Sequence, residues 1–488
     1  FSMPWDDYEL TPYWDEYVEG KDSWRSGVLS IVRQLEDLGA KRLDRRQVRA
    51  DREVEKLGIT FSLPDSGLDR AWPFDVVPRA IPGDEWDEID AGLRQRANAL
   101  NAFVEDVYSD ARILSDGVVP EHLVLNSANY RPEARGMHPR FGVWAHIAGL
   151  DMVRADEGRW FVLEDNLRVP SGVAYMLENR FVSKRVMGDL FHNSWVRPMD
   201  GYIENLSQTL WSLSPREEAT VCILTPGVYN AAYHEHAYLA QQLGVHLVEG
   251  RDLFVDDDDK VYMKTIGEPT QVDVVYRRVD DEFLDPEVFN PDSMVGTPGL
   301  MRAWKSGNVA IVNAPGAGVA DDKVLYPFVP DIIRYYSGEE PILANVETYW
   351  CGDPAQRREV LANIGDLVTK PAAEGGGHGI TIGPRASARQ LEVARQKILD
   401  DPDGWVAQPV LQLSTVPTLT NEGLAPRHVD LRPFIVSGES TYVTSGGLTR
   451  VALEAGSLVV NSSQGGGSKD TWIVDSQHVS GAARRGQS

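Results

Sequence analysis

The sequence predicts a chain of more than one domain that combines helices and strands, in an α+β or α/β arrangement. Its 488 residues are too many for one ordinary hydrophobic core. In the first third of the chain, apolar residues recur three and four positions apart, which indicates amphipathic helices. From Phe141 onward the pattern changes to short apolar runs separated by turns that contain glycine, which is typical of strands.

The charge balance excludes several classes of partner. Lysine and arginine total 48 while aspartate and glutamate total 73, so the formal net charge is −25. General binding to nucleic acid or to an anionic membrane requires a positive field, so neither is expected. ATP binding remains possible where a few lysines and arginines converge with metal ions.

Cysteine usage and the N-terminal segment predict a location. The two cysteines, Cys222 and Cys351, have neither a zinc-ligand nor a redox-motif spacing, which favours a reducing compartment. The first residues lack the cationic and apolar regions of a signal peptide, and no apolar run approaches ~18 residues. We therefore expect a cytoplasmic protein.

Local periodicity predicts individual elements. Residues 24–38 and 93–107 have the spacing of amphipathic helices and predict a helical N-terminal region. Further on, Val221–Leu224 is predicted as a strand, Tyr233–Leu243 as a helix and 245–248 as a second strand, which together suggest a small Rossmann-like unit. The acidic run at 256–259 lacks the spacing of a calcium-binding EF-hand loop, so a solvated hairpin turn is expected there.

A hairpin is predicted around a turn at 155–158 that ends in glycine. If Arg154 pairs with Arg159, Asp151 lies opposite Val162. A slip of one residue would send Asp151 to the other face of the hairpin, because side chains alternate along a strand.

This register groups three oxygen-bearing side chains, those of Asp151, Glu164 and Asn166, on one face. Carboxylate and amide oxygens suit Mg²⁺, which bridges phosphates in many enzymes. The alternative is a charged strand end that faces solvent. The opposite face is expected to be buried and carries Leu150, Met152, Phe161 and Leu163.

A second candidate site is a lysine followed by a glycine loop. Lys370 ends an apolar strand, and Gly375, Gly376, Gly377 and Gly379 follow it. Glycines allow backbone N–H groups to approach anionic oxygens closely, so the segment is a candidate phosphate cradle. It is not a Walker A loop, since no G-K-[ST] follows. An ordinary flexible hairpin is the alternative.

Two further segments are ambiguous when taken singly. Lys323 precedes an apolar segment and could be an ordinary surface lysine. Gln408, Pro409 and Val410 end an apolar strand that could present backbone groups and a flat wall to adenine, or could simply be a core strand.

Cationic and polar residues near the C-terminal end complete the set. Alternation along a strand places Asp430 and Arg432 on one face, where a salt bridge within the strand is the rival interpretation. Arg450 offers a planar fork that can bind phosphate through two hydrogen bonds. Asn461 and the glycines at 465–467 form a polar turn or a linker.

Together these pieces resemble the ATP-grasp superfamily, in which two lysines, a glycine loop, an adenine hinge, an arginine strand and an E-x-N metal motif surround ATP. The lysines usually come first, whereas here Asp151 and the E-x-N motif that begins at Glu164 precede Lys323 and Lys370. This order resembles the circularly permuted ATP-grasp family, which includes the glutathionylspermidine synthetases. The segments LEDNLRVPSG, VVYRRVDDEFLDP and VVNSSQGGGSKDTW are similar to an uncharacterised bacterial branch of it. The resemblance covers about residues 75–475 and includes no amidase domain.

The resemblance implies a circularly permuted ATP-grasp fold with mixed sheets, and it implies roles in cofactor binding. Gln408 stands where many relatives have an acidic hinge residue. One or two Mg²⁺ ions would be held by Asp151, Glu164 and Asn166. ATP would be contacted by Lys323, Lys370, Gly375, Gly376, Gly377, Gly379, Gln408, Pro409, Val410 and Asn461.

The resemblance also implies roles in catalysis and substrate binding. Arg432 and Arg450 would stabilise the transferring phosphoryl group. Arg278 is a further catalytic candidate, and the carboxylate substrate would be bound by Arg168 and Arg277 together with Arg278. Asp280 is assigned to the substrate site and, with Asp281, is a guess for a base.

The expected activity is an ATP-dependent carboxylate–amine ligase that forms an amide through an acyl phosphate. A phosphotransferase and a nucleotide-binding regulator without turnover are the alternatives. The expected partners are small-molecule or peptide carboxylates and amines, with no nucleic acid and no membrane. The predicted segments are a helical region at 1–135, a metal-binding hairpin half at 136–215, the Rossmann-like subdomain at 216–320, a nucleotide-binding half at 321–475 and a disordered tail at 476–488.

Overall fold

The computed structural model describes residues 4–21, 23–62, 69–155, 157–372, 379–457 and 466–475. The predicted tail, Asn461 and Gly375 to Gly377 lie outside these ranges. The helices are α1 (Leu29–Leu38), α2 (Ala40–Lys56), α3 (Gly83–Val107), α4 (Arg112–Ser115), α5 (Glu121–Leu125), α6 (Val173–Val186), α7 (Gly188–Asn193), α8 (Gly201–Ser212), α9 (Tyr233–Leu243), α10 (Asp281–Leu284), α11 (Leu300–Lys305), α12 (Val329–Ser337), α13 (Pro354–Ala362) and α14 (Ala388–Asp400).

The strands, in chain order, are β1 (Val18–Gly20), β2 (Ser23–Trp24), β3 (Thr60–Ser62), β4 (Asp69–Ala71), β5 (Phe74–Pro82), β6 (Ile147–Ala155), β7 (Arg159–Asn166), β8 (Val221–Leu224), β9 (His246–Val248), β10 (Leu253–Val255), β11 (Val261–Met263), β12 (Thr270–Val272), β13 (Val274–Arg277), β14 (Ala310–Val312), β15 (Ala344–Asn345), β16 (Tyr349–Trp350), β17 (Leu367–Pro371), β18 (Thr381–Ile382), β19 (Trp405–Pro409), β20 (Thr415–Thr420), β21 (Gly423–Arg432), β22 (Phe434–Ser437), β23 (Thr441–Val443), β24 (Leu448–Val451) and β25 (Gly467–Val474).

A mixed central sheet carries the predicted hairpin. Its main order is β15-β7-β6-β21-β24-β25-β5, with β20 paired to β21, and β22 paired to β6 and β23. Strands from the middle and the end of the chain therefore lie side by side. This arrangement brings the carboxylates of β6 and β7 next to the arginines of β21 and β24.

The N-terminal region is less purely helical than the pattern predicts. The amphipathic helix expected at 93–107 begins earlier, at Gly83, and its apolar side is buried in the main core. In addition, β5 is buried along nearly its whole length and pairs in parallel with β25 of the central sheet. Parallel pairing joins segments that are far apart in sequence, so local periodicity could not predict it.

A separate parallel sheet has the order β14-β13-β8-β9. The strand at Val221–Leu224 and the helix at Tyr233–Leu243 have the predicted bounds, and β9 begins one residue later than expected. The acidic run 256–259 joins β10 to β11 in an antiparallel hairpin, as predicted. Because all strands of the parallel sheet point the same way, their carboxyl ends form one edge, where ligands bind in α/β folds.

Another sheet, with the order β16-β19-β17-β18, carries Lys370 in β17 and the hinge segment in β19. It has its own small apolar core, in which Ala394 and Ile398 of α14 pack. Within the described ranges, no helix is both long and apolar enough to cross a membrane.

Candidate active site

The register of the β6–β7 hairpin differs from the predicted one. Met152 pairs with Val162, one residue away from the predicted partner of Val162. A bulge between Asp151 and Met152 then places one extra residue on β7, so Asp151 pairs directly with Glu164. Without this bulge Asp151 would pair with Leu163, and Glu164 would point to the opposite face. The two carboxylates thus share a face by way of a bulge that the sequence analysis missed.

The apolar side of the hairpin differs accordingly. Leu150 and Met152 are buried in the main core, as predicted. Phe161 and Leu163 are instead only half-buried, and they pack in a small separate cluster that includes Val153. The prediction that all four residues lie in one buried face is therefore wrong, because the register shifts along β7.

Asp151 is the centre of an ion-pair network across three strands. Arg432 of β21 donates from Nε and Nη2 to the two carboxylate oxygens of Asp151, at 2.7 and 3.0 Å. Arg450 of β24 lies 3.3 Å from Asp151 Oδ2 and donates two hydrogen bonds to Asp430, at 3.0 and 2.6 Å. Burial alone would raise the pKa of Asp151, but the two guanidinium groups outweigh it and lower that pKa to about 2.

Both arginines thus meet carboxylates on neighbouring strands. The rival interpretation, a salt bridge between Asp430 and Arg432 within one strand, does not describe this geometry. The side chains of Arg432 and Arg450 keep 16% and 14% of their surface exposed.

Glu164 lies where charges of both signs converge. Burial and the negative charge of Asp151 raise its pKa, while Lys323 and Lys370 oppose that rise. Burial lowers the pKa of Lys370 to about 8, against the attraction of Glu164. The two lysines come from separate segments, the turn after the 3₁₀ helix Ala317–Asp321 and strand β17. The carboxylates and the lysines that the sequence analysis singled out are therefore neighbours.

The oxygen-bearing side chains fit a magnesium ion. Asn166 ends β7, and its buried Nδ2 has no hydrogen-bond partner among the described residues. A half-turn of that amide presents its oxygen instead. A cation would also relieve the repulsion between Asp151 and Glu164. No group of three or more His, Cys, Asp or Glu side chains suited to a metal occurs in the described part of the chain, so the candidate set is two carboxylates and an amide.

The hinge segment lies at the end of β19. Gln408 is buried and its side chain donates to Thr348 Oγ1 at 3.0 Å, so it serves to hold two segments together. Pro409 and Val410 are half-buried. Of the predicted loop glycines, Gly379 is described and has a positive φ of 74°, a conformation that favours glycine.

Arg278 holds the loop that follows the E-x-N motif. It donates to the Pro170 carbonyl at 2.9 Å, to Ser171 Oγ at 3.1 Å and to Glu235 Oε1 at 3.0 Å. Ser171 in turn accepts a hydrogen bond from Arg432 through its carbonyl, at 2.9 Å. Arg278 therefore acts here as a positioning residue, with its side chain 2% exposed.

Glu235, on α9, is a residue that the sequence analysis missed. It is fully buried, and its Oε2 accepts hydrogen bonds from the backbone N–H groups of Gly172 and Ala174, at 2.8 and 3.1 Å. Gly172 has a φ of 118°, and an added Cβ would lie 3.0 Å from Leu448. The loop is thereby fixed from both sides. A polar residue inside an apolar helix face was the only sequence signal available for Glu235.

Arg277 does not fit the predicted substrate site. Its side chain is 1% exposed and donates to the carbonyls of Asn313 and Val279 and to Asp281 Oδ1. Because these bonds use its guanidinium inside the protein, we leave Arg277 out of the proposed substrate site. Asp280 beside it is exposed.

Arg168 is half-exposed and pairs with Asp321, whose Oδ1 lies 3.2 Å from Arg168 Nε. Asp321 also accepts a hydrogen bond from the backbone of Leu167 at 2.9 Å. Burial raises the pKa of Asp321 to about 6, and the charge of Glu164 adds to the rise while Arg168 opposes it. Asp321 was not among the predicted site residues.

Comparison with known proteins agrees with this geometry. Residues 78–452 match the model of a family described as circularly permuted ATP-grasp, type 2. The chain belongs to the circularly permuted ATP-grasp family. This confirms the resemblance and the predicted fold class.

Relatives of this ATP-grasp chain occur in several bacteria. An uncharacterized protein of Synechocystis sp. is 48% identical over 472 residues, which cover 96% of this chain and 98% of that protein. An uncharacterized protein of Mycobacterium leprae is 49% identical over 473 residues, covering 96% and 84%. A protein of Frankia casuarinae, whose name includes the words "glutamate--cysteine ligase 2-2", is 42% identical over 469 residues, which cover 96% of this chain but 54% of that protein.

A solved structure supports the fold. The apo form of a glutathione synthetase-like effector from Globodera pallida superposes with a TM-score of 0.56 over 88% of this chain and 96% of the effector. The sequence identity is 13%, so the likeness concerns the ATP-grasp fold alone.

Proposed function

We propose that the protein is an ATP-dependent ligase that joins a carboxylate to an amine through an acyl phosphate. The observation that supports this most is the convergence of Glu164 with Asp151 and the two lysines. Opposite charges packed at this density suit a nucleotide triphosphate with a metal ion. Family membership and the ligase name of the Frankia relative support the same reaction class.

Each charged group has a task in the proposed reaction. Lys323 and Lys370 bind phosphate oxygens of ATP, and Arg432 with Arg450 neutralises the phosphoryl group as it transfers. Asp151 holds Arg432 by two hydrogen bonds, so the protein itself aligns the fork of Arg432.

Magnesium would be held by Asp151, Glu164 and Asn166, and when bound it would neutralise phosphate charge. Asp151 would then exchange part of its interaction with Arg432 for the ion. The freed guanidinium donors would turn to phosphate, two oxygens of which can accept the paired hydrogen bonds of the fork.

The proposed chemistry needs no protein nucleophile. A substrate carboxylate oxygen attacks the γ-phosphorus, the bond to the bridging oxygen breaks, and ADP leaves. The amine nitrogen then attacks the acyl carbon, the bond from that carbon to the phosphate oxygen breaks, and inorganic phosphate leaves with the electron pair. From an ammonium the nitrogen loses two protons in all. Catalysis is mainly positioning and charge neutralisation.

A hydroxylamine trap tests this proposal. The protein is incubated with Mg-ATP, hydroxylamine and a panel of carboxylic acids, and hydroxamates and ADP are measured by mass spectrometry. If an acyl phosphate forms, hydroxylamine converts it to a hydroxamate, and one ADP is released for each hydroxamate. ADP with a stable phosphate ester and no hydroxamate would instead identify a phosphotransferase, and nucleotide binding without any ADP would indicate a regulator.

A matched pair of variants connects the activity to the site. Glu164→Gln removes one charge from the proposed metal set and is expected to lower hydroxamate yield at least a hundredfold, the range for loss of an electrostatic contact in a transition state. Glu157→Gln alters an exposed residue of the same hairpin and should leave the yield unchanged. Equal yields in both variants would refute the assigned site.

A further inference from the structure

A second group of charged side chains lies beside the candidate active site, at the carboxyl edge of the parallel sheet. Arg131 Nε, in the segment between α5 and β6, lies 3.5 Å from Asp281 Oδ2, just beyond β13. Arg168 contacts Asp321 and also interacts electrostatically with Asp280 and Asp281. We call these five residues, with Tyr130, the edge cluster.

Several buried atoms of the edge cluster lack hydrogen bonds within the described chain. They are Tyr130 Oη, Arg131 Nε and Asp321 Oδ1. Tyr130 and Asp321 are only 7% and 9% exposed. Arg131 Nε and Asp321 Oδ1 have only ion-pair contacts, at 3.5 Å to Asp281 and 3.2 Å to Arg168. Incomplete hydrogen bonding of buried polar atoms costs free energy, so a group of such atoms needs an explanation.

Most polar atoms of the neighbouring residues at this edge are hydrogen-bonded. Arg277, four residues before Asp281, has its guanidinium matched to two carbonyls and a carboxylate. Asp281 Oδ1 accepts from Arg277, and Asp281 Oδ2 accepts a hydrogen bond from the Gly316 backbone at 2.9 Å. Most donors with a structural task are satisfied here, with Arg278 Nε as an exception, whereas Arg131 Nε and the Tyr130 hydroxyl lack hydrogen bonds on two adjacent residues.

The unsatisfied atoms belong to one neighbourhood. Tyr130 stacks on Tyr108 with ring centroids 5.1 Å apart. The hydroxyl of Tyr108 accepts a hydrogen bond from the Arg131 backbone and donates to the Gly316 carbonyl. Its raised pKa, caused first by burial, also reflects the charges of Asp281 and of Tyr130. Tyr130 and Arg131 are therefore held against the same strand end.

The edge cluster is continuous with the active site. Asp321 interacts electrostatically with Glu164 and accepts from the backbone of Leu167, which directly follows the E-x-N motif. The segment that carries Tyr130 and Arg131 is tied to the same place, because Ser127 donates to Asp322 at 2.7 Å. Asp321 therefore lies at the end of the edge cluster that is nearest Glu164. Arg131 lies at the opposite end of the cluster, beside Asp281.

We propose that the edge cluster binds the amine substrate of the ligase, and that this substrate is an amino acid whose ammonium meets Asp321 and whose carboxylate meets Arg131 and Tyr130. This inference rests on the proposed function. It orients the nitrogen toward the acyl phosphate, where the C–N bond forms, the bond from carbon to phosphate oxygen breaks, and inorganic phosphate leaves.

The arrangement of charge selects against a polyamine. A polyamine offers ammonium groups alone, which can meet the aspartates of the edge cluster but not its arginines. An amine without a carboxylate would supply no acceptor to Arg131 Nε or to the Tyr130 hydroxyl and would gain less from binding. An amino acid satisfies both ends of the cluster.

Binding measured directly tests the inference. The full chain is titrated with each of the twenty L-amino acids, with ethylamine and with spermidine, in the presence of Mg-ADP, and heats are recorded by calorimetry. At least one amino acid is expected to bind, and ethylamine and spermidine are not. Binding of spermidine without any amino acid would overturn the assignment.

Variants locate the site. Arg131→Gln should weaken amino-acid binding at least tenfold, while Arg135→Gln, at an exposed arginine of the same segment, should not. Tyr130→Phe keeps the ring that stacks on Tyr108 and should weaken binding severalfold, which covers the case in which Arg131→Gln fails to fold. Unchanged affinity in folded Arg131→Gln, or in Tyr130→Phe where only that variant folds, would refute the edge cluster as the amine site.

A kinetic readout separates this inference from the proposed function. Hydroxylamine replaces the amine substrate, so Arg131→Gln should lower amide formation from the amino acid far more than hydroxamate formation, with a KM for the amino acid at least tenfold higher. Arg135→Gln should leave both rates unchanged. If hydroxamates form but no amino acid binds, the assignment of the amine site is refuted and the ligase assignment stands. If amino acids bind but no carboxylic acid gives a hydroxamate, the ligase assignment is refuted.

Discussion

Replacing each of the adjacent carboxylates Glu164 and Asp165 by its amide is expected to change stability in opposite directions. Both belong to β7, but alternation along the strand sends them to opposite faces. Glu164 faces the candidate active site beside Asp151. Asp165 faces α3, where it pairs with Arg96.

The magnitude for Asp165→Asn follows from the buried pair. Arg96 donates from Nε and Nη2 to the two Asp165 oxygens, both at 2.7 Å, and the side chains are 1% and 3% exposed. Removing one partner of such a pair costs about 3–5 kcal/mol, because it leaves the other charge buried. Even the lower value reduces the ratio of folded to unfolded protein more than a hundredfold.

For Glu164→Gln the sign is reversed. Burial and the charge of Asp151 raise the pKa of Glu164, so ionising this group destabilises the folded state. The stability of the wild type without ligand therefore falls as pH rises from the pKa of Glu164 in the unfolded state to its higher pKa in the folded state. Above both pKa values the full cost of ionising Glu164 is present. The neutral amide removes that cost, so Glu164→Gln should unfold at the same or a higher urea concentration at pH 7.

The assay is urea unfolding followed by tryptophan fluorescence, with hydroxamate formation measured on the same preparations. Asp165→Asn should lower the unfolding midpoint, and its folded fraction should retain activity. Glu164→Gln should lose activity without losing stability. A lower midpoint for Glu164→Gln, or an unchanged one for Asp165→Asn, would show that the assignment of faces on β7 is wrong.

Three further outcomes are expected. An NMR titration of labelled Lys370 should give a midpoint near the lowered pKa of about 8 without nucleotide, because burial disfavours the charged form. With Mg-ATP the midpoint should be higher, because phosphate stabilises that charge. A midpoint of 10.5 in both states would contradict this expectation. Glu235→Gln should lower kcat about tenfold, a loss of ~1.4 kcal/mol, while nucleotide affinity stays within about threefold. The reason is that Glu235 and Arg278 position the loop after the E-x-N motif. A fall in nucleotide affinity without a fall in kcat would contradict this role. Native protein treated with iodoacetamide should show no modification of Cys222 or Cys351 by mass spectrometry. Both thiols are fully buried, and burial raises the pKa of each to about 12. Rapid labelling of either cysteine would show that it is accessible to solvent.

The sequence predicted those features that depend on short stretches of chain. The strand at Val221–Leu224, the helix at Tyr233–Leu243 and the strand that follows it are local patterns, and each was recovered within one residue. The two strands of the hairpin were also recovered, but their register was not. The order of the motifs along the chain was enough to identify the permuted family. Local patterns suffice because alternation and helical periodicity report which side of a single element is buried.

Tertiary structure decided what depends on partners far apart in sequence. Arg432 reaches Asp151 across 281 positions, and the bulge that aligns Asp151 with Glu164 lies where β6 changes its pairing from β21 to β22. Glu235 and Arg278 hold the loop after the E-x-N motif from separate elements. The physical reason is desolvation: a charge is buried only where a partner from elsewhere compensates it, and no local pattern specifies that partner.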